Sequence, residues 1–202
     1  MVSTMRKAIL HLKKSDPVLA AIIERIGPVQ VGYREPTFES LARAIVFQQL
    51  HGKAARTIYE RLQLAAGGKV TPESMLALSE EEMRACGLSR QKLSYIRDLA
   101  AKTICGDVVF EQLPEMSDAE VIEHLTRVKG IGVWSAQMFL MFALRRPNVM
   151  PTGDYGIRAA IKKAYRKRKI PEAKDLLKLS RNWEPYCTLA CYYLWRSLDT
   201  EL

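Results

Sequence analysis

The chain has 202 residues, enough for one compact domain or two small lobes with a sizeable buried core. Its composition, 48% hydrophobic and 26% charged, is that of an ordinary globular protein, and no run approaches the roughly 18 consecutive apolar residues of a membrane span. A formal net charge of +9 and a pI near 9.5 suit a polyanionic partner, because each phosphate neutralised by Lys or Arg releases counterions.

The opening stretch MVSTMRKAILHLKKSDP breaks its apolar residues with charges and lacks a signal-peptide core. A cytoplasmic or nucleoid location is expected, or a nuclear one in a eukaryote. Asp16-Pro17 reads as an N-cap with proline at the first helical position, opening an apolar-periodic run to Ile26 that Gly27-Pro28 ends. Phe38 to Phe47 repeats Leu41, Ala44, Ile45 and Phe47 at helical spacing; His51-Gly52 interrupts, and the pattern resumes from Ala54 to Leu64. Thr71-Pro72-Glu73 opens a short helix, and Ser79-x-x-Glu82 and Ser117-x-x-Glu120 are capping boxes. Pro28 to Tyr33 and Val108 to Phe110 hint at extended chain. The sum is an all-α protein of about ten helices.

Cys86, Cys105, Cys187 and Cys191 contain no C-x-x-C pair, so zinc or an iron–sulfur cluster is not expected and the thiols read as buried small hydrophobes. Seven basic residues crowd 158–169, namely Arg158, Lys162, Lys163, Arg166, Lys167, Arg168 and Lys169, a pattern most often explained by a solvated helix face.

Two helix–turn–helix echoes stand out. Cys86-Gly87-Leu88-Ser89 precedes a helix from Arg90 to Lys102, and Lys129-Gly130-Ile131-Gly132 precedes one from Val133 to Leu144. In the second, LTRVKGIGVWSAQ, Gly130 and Gly132 permit a tight turn with positive φ and close backbone approach, and Ile131 can anchor the turn in the core. The next helix offers unpaired N–H groups and a positive dipole end, which suits a phosphate, and Lys129 adds charge. Further on, Asp154 precedes an amphipathic helix bearing Ile157, Ala160, Ile161, Ala164 and Tyr165, where an aspartate is also an ordinary N-cap.

The pair VKGIGVWSA (128–136) and PTGDYGIR (151–158), with the acid 20 residues after Trp134, resembles the helix-hairpin-helix-GPD DNA glycosylases, within them the 3-methyladenine DNA glycosylase II (AlkA-like) type. The resemblance runs from about Phe38 through Gln48-Gln49-Leu50-His51 and Gly87-Leu88-Ser89-Arg90-Gln91-Lys92 to Trp195. It implies a helix-hairpin-helix glycosylase fold with two helical lobes flanking an active-site cleft. One lobe spans 38–146, with the hairpin at 125–136; the other combines 1–37 with 148–202.

The resemblance also implies roles. Lys129, Gly130, Ile131 and Gly132 grip the DNA backbone. The carbonyls of Thr126, Val128 and Ile131 hold Na+ or K+ when DNA is bound. Asp154 is the catalytic carboxylate, stabilising oxocarbenium character at C1′ as the base leaves. Trp134, Met138, Tyr155 and Trp195 form the pocket for a flipped base, and Gln49, Leu50 and His51 form a wedge that fills the gap. Tryptophan stands at position 134, where lyase relatives carry a nucleophilic lysine, so hydrolysis without strand nicking is expected. The implied enzyme is a monomer with no catalytic metal or redox cofactor, acting on alkylated purines in double-stranded DNA. A non-catalytic hairpin module, an oxidised-base lyase and a helical scaffold are the competing readings.

Overall fold

The structure is a computed structural model that describes residues 2–199. Those residues form twelve α-helices and a short 3-10 turn, with no strand among them. In chain order they are α1 (Val2–Ser15), α2 (Pro17–Ile26), α3 (Phe38–Phe47), α4 (Gly52–Ala65), α5 (Pro72–Ala77), α6 (Glu80–Ala85), α7 (Arg90–Ile104), α8 (Asp118–Thr126), α9 (Val133–Phe142), α10 (Tyr155–Ala164), α11 (Ala173–Ser180) and α12 (Cys187–Asp199).

The all-α expectation holds, with two more helices than the periodicity suggested. One extra is α1, where Met5, Ala8, Ile9 and Leu12 stand at helical spacing. The expected extended stretch at Val108 to Phe110 instead runs into the 3-10 turn Phe110–Glu115. α4 begins at Gly52 rather than Ala54, with His51 as its N-cap.

Local chemistry explains where the helices start. Asp16 Oδ1 accepts the amides of Val18 and Leu19, each at 3.0 Å, at the head of α2. Both capping boxes form: Glu82 reaches back to the Ser79 amide at 2.7 Å, and Glu120 to the Ser117 amide at 2.7 Å. A third box joins Thr71 and Ser74 at α5.

The chain divides into two units, one formed by Arg34–Leu144 and the other by the stretch up to Tyr33 together with that from Arg145 onward. In the second of these, α2 packs on α1 and α12, and α10 packs on α12. Leu12, Leu19, Trp183, Tyr193 and Leu194 are buried there. Asp16 is also buried, and its second oxygen accepts the Trp183 indole N–H at 2.8 Å and the Tyr165 hydroxyl. A carboxylate taken out of water this far is costly unless donors surround it, and four do. Burial, and then the Asp16 partner, push the Tyr165 hydroxyl pKa well above the usual phenol range.

In Arg34–Leu144, α7 packs against α3, α5 and α6, while α8 packs on α9. Leu93, Ile96, Leu99 and Ala100 form the buried face of α7. Each fully buried leucine or isoleucine contributes about 1.5–3 kcal/mol over an exposed one, so this stripe fixes the rotation of the helix. The same rotation directs Lys92, Tyr95, Asp98 and Lys102, spaced by three or four residues, onto a different face.

Candidate functional site

The hairpin is the turn between α8 and α9. Gly130 takes φ 79°, and a Cβ there would collide with the Tyr95 ring. Two separate requirements therefore demand glycine at this position. Gly132 differs from expectation: its φ is −94°, ordinary extended backbone, and it serves as N-cap of α9. Nothing lies within 4 Å of where its Cβ would sit, so its lack of a side chain leaves the amide end of α9 open. Ile131 and Val128 are buried and anchor the turn, whereas Lys129 is exposed.

The turn is held by α7. Asp98 Oδ2 accepts the Lys129 amide at 2.8 Å and the Lys102 ammonium at 2.8 Å, and Lys102 Nζ also donates to the Arg127 carbonyl at 2.5 Å. Burial alone would raise the Asp98 pKa; the Lys102 and Lys129 donors outweigh it and hold the carboxyl below its usual range. The Val128 carbonyl accepts the Ile131 amide at 3.1 Å. The Thr126 and Val128 carbonyls lie at the C-terminal end of α8, its negative pole, whereas Ile131 directly precedes the N-cap of α9; all three are hard oxygen donors of the kind an alkali cation takes.

Between α3 and α4 lies the Gln48–His51 loop. Gln49 adopts a left-handed φ of 55°, and Gln49, Leu50 and His51 are exposed. The loop is rooted at its α3 end: Lys92 Nζ donates to the carbonyls of Val46 (2.6 Å) and Gln48 (2.7 Å), and Gln48 Nε2 donates to the Gly130 carbonyl at 2.9 Å.

A cleft of about 700 Å³ in this unit brings the two loops and α9 together. Its lining includes Gln49, Gly130, Trp134 and Met138 from the sequence-derived site, and Arg34, Phe47, Gln48, Lys92 and Tyr95, to which the motifs assign no role. Trp134 is 47% exposed and Val133 54%, a large apolar surface at the start of α9.

Asp154, Tyr155 and Trp195 belong to the other unit. Asp154 is the N-cap of α10, only 7% exposed, with Oδ1 accepting the Ile157 amide at 2.7 Å and the Trp195 indole N–H at 2.9 Å. The expected N-cap is present, with a helix amide and an indole N–H as donors to the same carboxylate oxygen. A Cβ on Gly156 would press on Trp195 and on the carboxylate at 3.1–3.2 Å, so glycine here lets the indole reach the acid. Beneath it, burial pushes the Cys191 thiol far up, with Cys187 and Asp154 adding to the effect. Tyr155 points outward, 69% exposed.

Cys86, Cys187 and Cys191 are buried free thiols as expected, but Cys105 is exposed, because it follows the last turn of α7 rather than lying on its inner face. Of the basic run, Arg158 Nε donates to the Pro171 carbonyl at 2.9 Å, and Lys162, Lys163 and 166–169 are exposed. Among the described residues no cluster of His, Cys, Asp or Glu is suited to a metal, and no helix is long and apolar enough to cross a membrane.

The site residues missed in the sequence carried faint signals. Gln48 and Lys92 sit inside segments that carry the family resemblance. Tyr95, Asp98 and Lys102 come after Lys92 at helical spacing, which marks a shared face but not its neighbour.

Residues 42–185 match the family model described as HhH-GPD superfamily base excision DNA repair protein. DNA-3-methyladenine glycosylase 1 of Schizosaccharomyces pombe is 36% identical, over 98% of this chain and 89% of that protein. Among solved structures, S. pombe 3-methyladenine DNA glycosylase (Mag1) in complex with abasic DNA superposes with TM-score 0.85 at 36% identity, covering 96% of this chain and 97% of that one. The DNA-3-methyladenine glycosidase of Bacillus halodurans superposes with TM-score 0.84 at 38% identity, covering 96% and 89%.

Proposed function

The chain belongs to the HhH-GPD superfamily of base excision DNA repair proteins, and we propose that it is a DNA-3-methyladenine glycosylase that hydrolyses alkylated purines from double-stranded DNA. The observation that carries this reading is Asp154, a buried carboxylate held by the α10 amide and the Trp195 indole.

In the proposed reaction the target nucleotide leaves the stack, and Trp134 and Met138 offer its base an aromatic and thioether surface. An N3- or N7-alkylated purine is cationic and stacks well on electron-rich rings. The C1′–N bond breaks with its electron pair going to the base, which departs neutral. Asp154 stabilises the positive charge developing at C1′ more than the ground state, which is what accelerates the step. Water oxygen then bonds to C1′, its surplus proton is released, and an abasic site remains. Gln49, Leu50 and His51 fill the gap left in the duplex.

The hairpin residues Lys129 to Gly132 hold the backbone, with the open amide end of α9 facing a phosphate. An Na+ or K+ on the carbonyls of Thr126, Val128 and Ile131 would supply a positive charge between hairpin and phosphate. The reading includes no lyase step. Position 134 offers no amine, and the Lys92 ammonium in the same cleft is committed to two carbonyls. The enzyme is proposed to act as a monomer without a catalytic metal.

The test is release of free methylated bases from alkylated duplex DNA by wild type and Asp154→Asn, with a parallel gel run with and without alkali. Expected are base release by wild type only, and strand breaks only after alkali. A wild type that binds DNA yet frees no base from any alkylated substrate would leave a non-catalytic binding module. Breaks without alkali would make the protein a lyase.

A further inference from the structure

The Gly87–Lys92 segment ends in a lysine whose ammonium has an unusual set of partners. Lys92 Nζ donates to the carbonyls of Val46 and Gln48, at 2.6 and 2.7 Å. These lie at the end of α3, where carbonyls run out of helical donors. Among the described residues no carboxylate pairs with this ammonium, so backbone oxygens alone hold its charge. Burial lowers the Lys92 pKa, an unfavourable setting that packing alone would not call for.

The clamp sits directly at the root of the loop. Gln49, the next residue, is left-handed, and Leu50 and His51 stand exposed beyond it. The Gln48 side chain ties the same root to the hairpin carbonyl of Gly130 at 2.9 Å. One turn along α7, Tyr95 packs against Gly130, and two turns along, Asp98 holds the Lys129 amide. A single face of α7 thus grips the loop through Lys92 and the hairpin through Tyr95 and Asp98.

We propose that Lys92 is a positioning residue for the Gln49–His51 wedge, clamping its root so that the loop meets DNA already shaped and in fixed register with the hairpin. This rests on the glycosylase reading. Hairpin contacts supply binding to any duplex, whereas the wedge acts only where a base has left the stack. Loosening the root therefore harms insertion and leaves general affinity largely intact.

The experiment places 2-aminopurine opposite a tetrahydrofuran abasic-site analogue and tracks its fluorescence as the wedge enters. Affinity for undamaged duplex is measured alongside, and base release by wild type serves as control. Lys92→Met removes the donor; Lys92→Gln, too short to bridge both carbonyls, serves if the first variant does not fold. The expected result is a fall in wedge insertion of roughly 10- to 100-fold, with undamaged-duplex affinity within about threefold of wild type. Unchanged insertion, or equal loss of insertion and general affinity, overturns the proposal. A wild type that releases base beside a normally inserting Lys92→Met overturns this proposal alone. A wild type that releases none overturns the glycosylase reading and this proposal with it.

Discussion

The Trp195 indole N–H donates to Asp154 Oδ1 at 2.9 Å, on the oxygen that also accepts the Ile157 amide. One side chain thereby fixes the carboxylate's rotamer from α12, while the helix it caps fixes it from α10. Trp195→Phe keeps the ring and removes the donor. A hydrogen bond to a charged group contributes roughly 1.5–3 kcal/mol. Single-turnover base release is expected to fall roughly 10- to 100-fold, with affinity for abasic DNA nearly unchanged. Equal losses in rate and affinity would show that the indole acts only as a stacking surface.

Gly130 and Tyr95 form the second test. Gly130→Ala imposes both a left-handed alanine and a collision with the Tyr95 ring. Together these are expected to destabilise the protein by roughly 2–4 kcal/mol in urea unfolding. Combining the change with Tyr95→Ala relieves the collision, so the double variant should lose less than the sum of the two single losses. Strict additivity would mean the ring is not what excludes a side chain.

Gln49 holds φ 55° without being glycine, a conformation that costs about 1 kcal/mol. Gln49→Gly should stabilise the fold by a few tenths to about 1 kcal/mol while lowering excision, the pattern of strain retained at a working position. Loss of stability on this substitution would count against strain at the loop.

His124, on the first helix of the hairpin, is buried, and its Nε2 accepts the Val109 amide at 3.3 Å. It is therefore neutral in the fold. Burial first, then Arg127, hold its pKa below the ordinary 6.5, against a smaller upward pull from Asp107. Since the folded pKa is the lower one, this contribution to stability is complete above about pH 6.5 and is lost as the pH falls through the folded value. Comparing urea midpoints of wild type and His124→Gln from about pH 8 to about pH 5 should show the wild-type advantage shrinking on acidification. A pH-independent difference would rule this linkage out.

Helix content and most helix starts were legible in the sequence because they depend on short-range rules. Asp16, Ser79 and Ser117 cap within three residues of themselves, and Gly130 and Asp154 sit in a motif pair whose spacing is distinctive. The opposite conformations of Gly130 and Gly132 were not legible, since either glycine tolerates both, and the Tyr95 ring that settles the matter comes from 35 residues upstream. Nor could spacing show that Lys92 grips the end of α3, that Asp98 holds the hairpin amide, or that Trp195 donates to Asp154. The sequence by itself determined an all-helical protein with a glycine hairpin and a capping carboxylate, through propensity, periodicity and local hydrogen bonds. Only the tertiary structure decided which side chains hold those parts in place, because contacts across tens of residues are set by how the buried faces of α7, α10 and α12 pack.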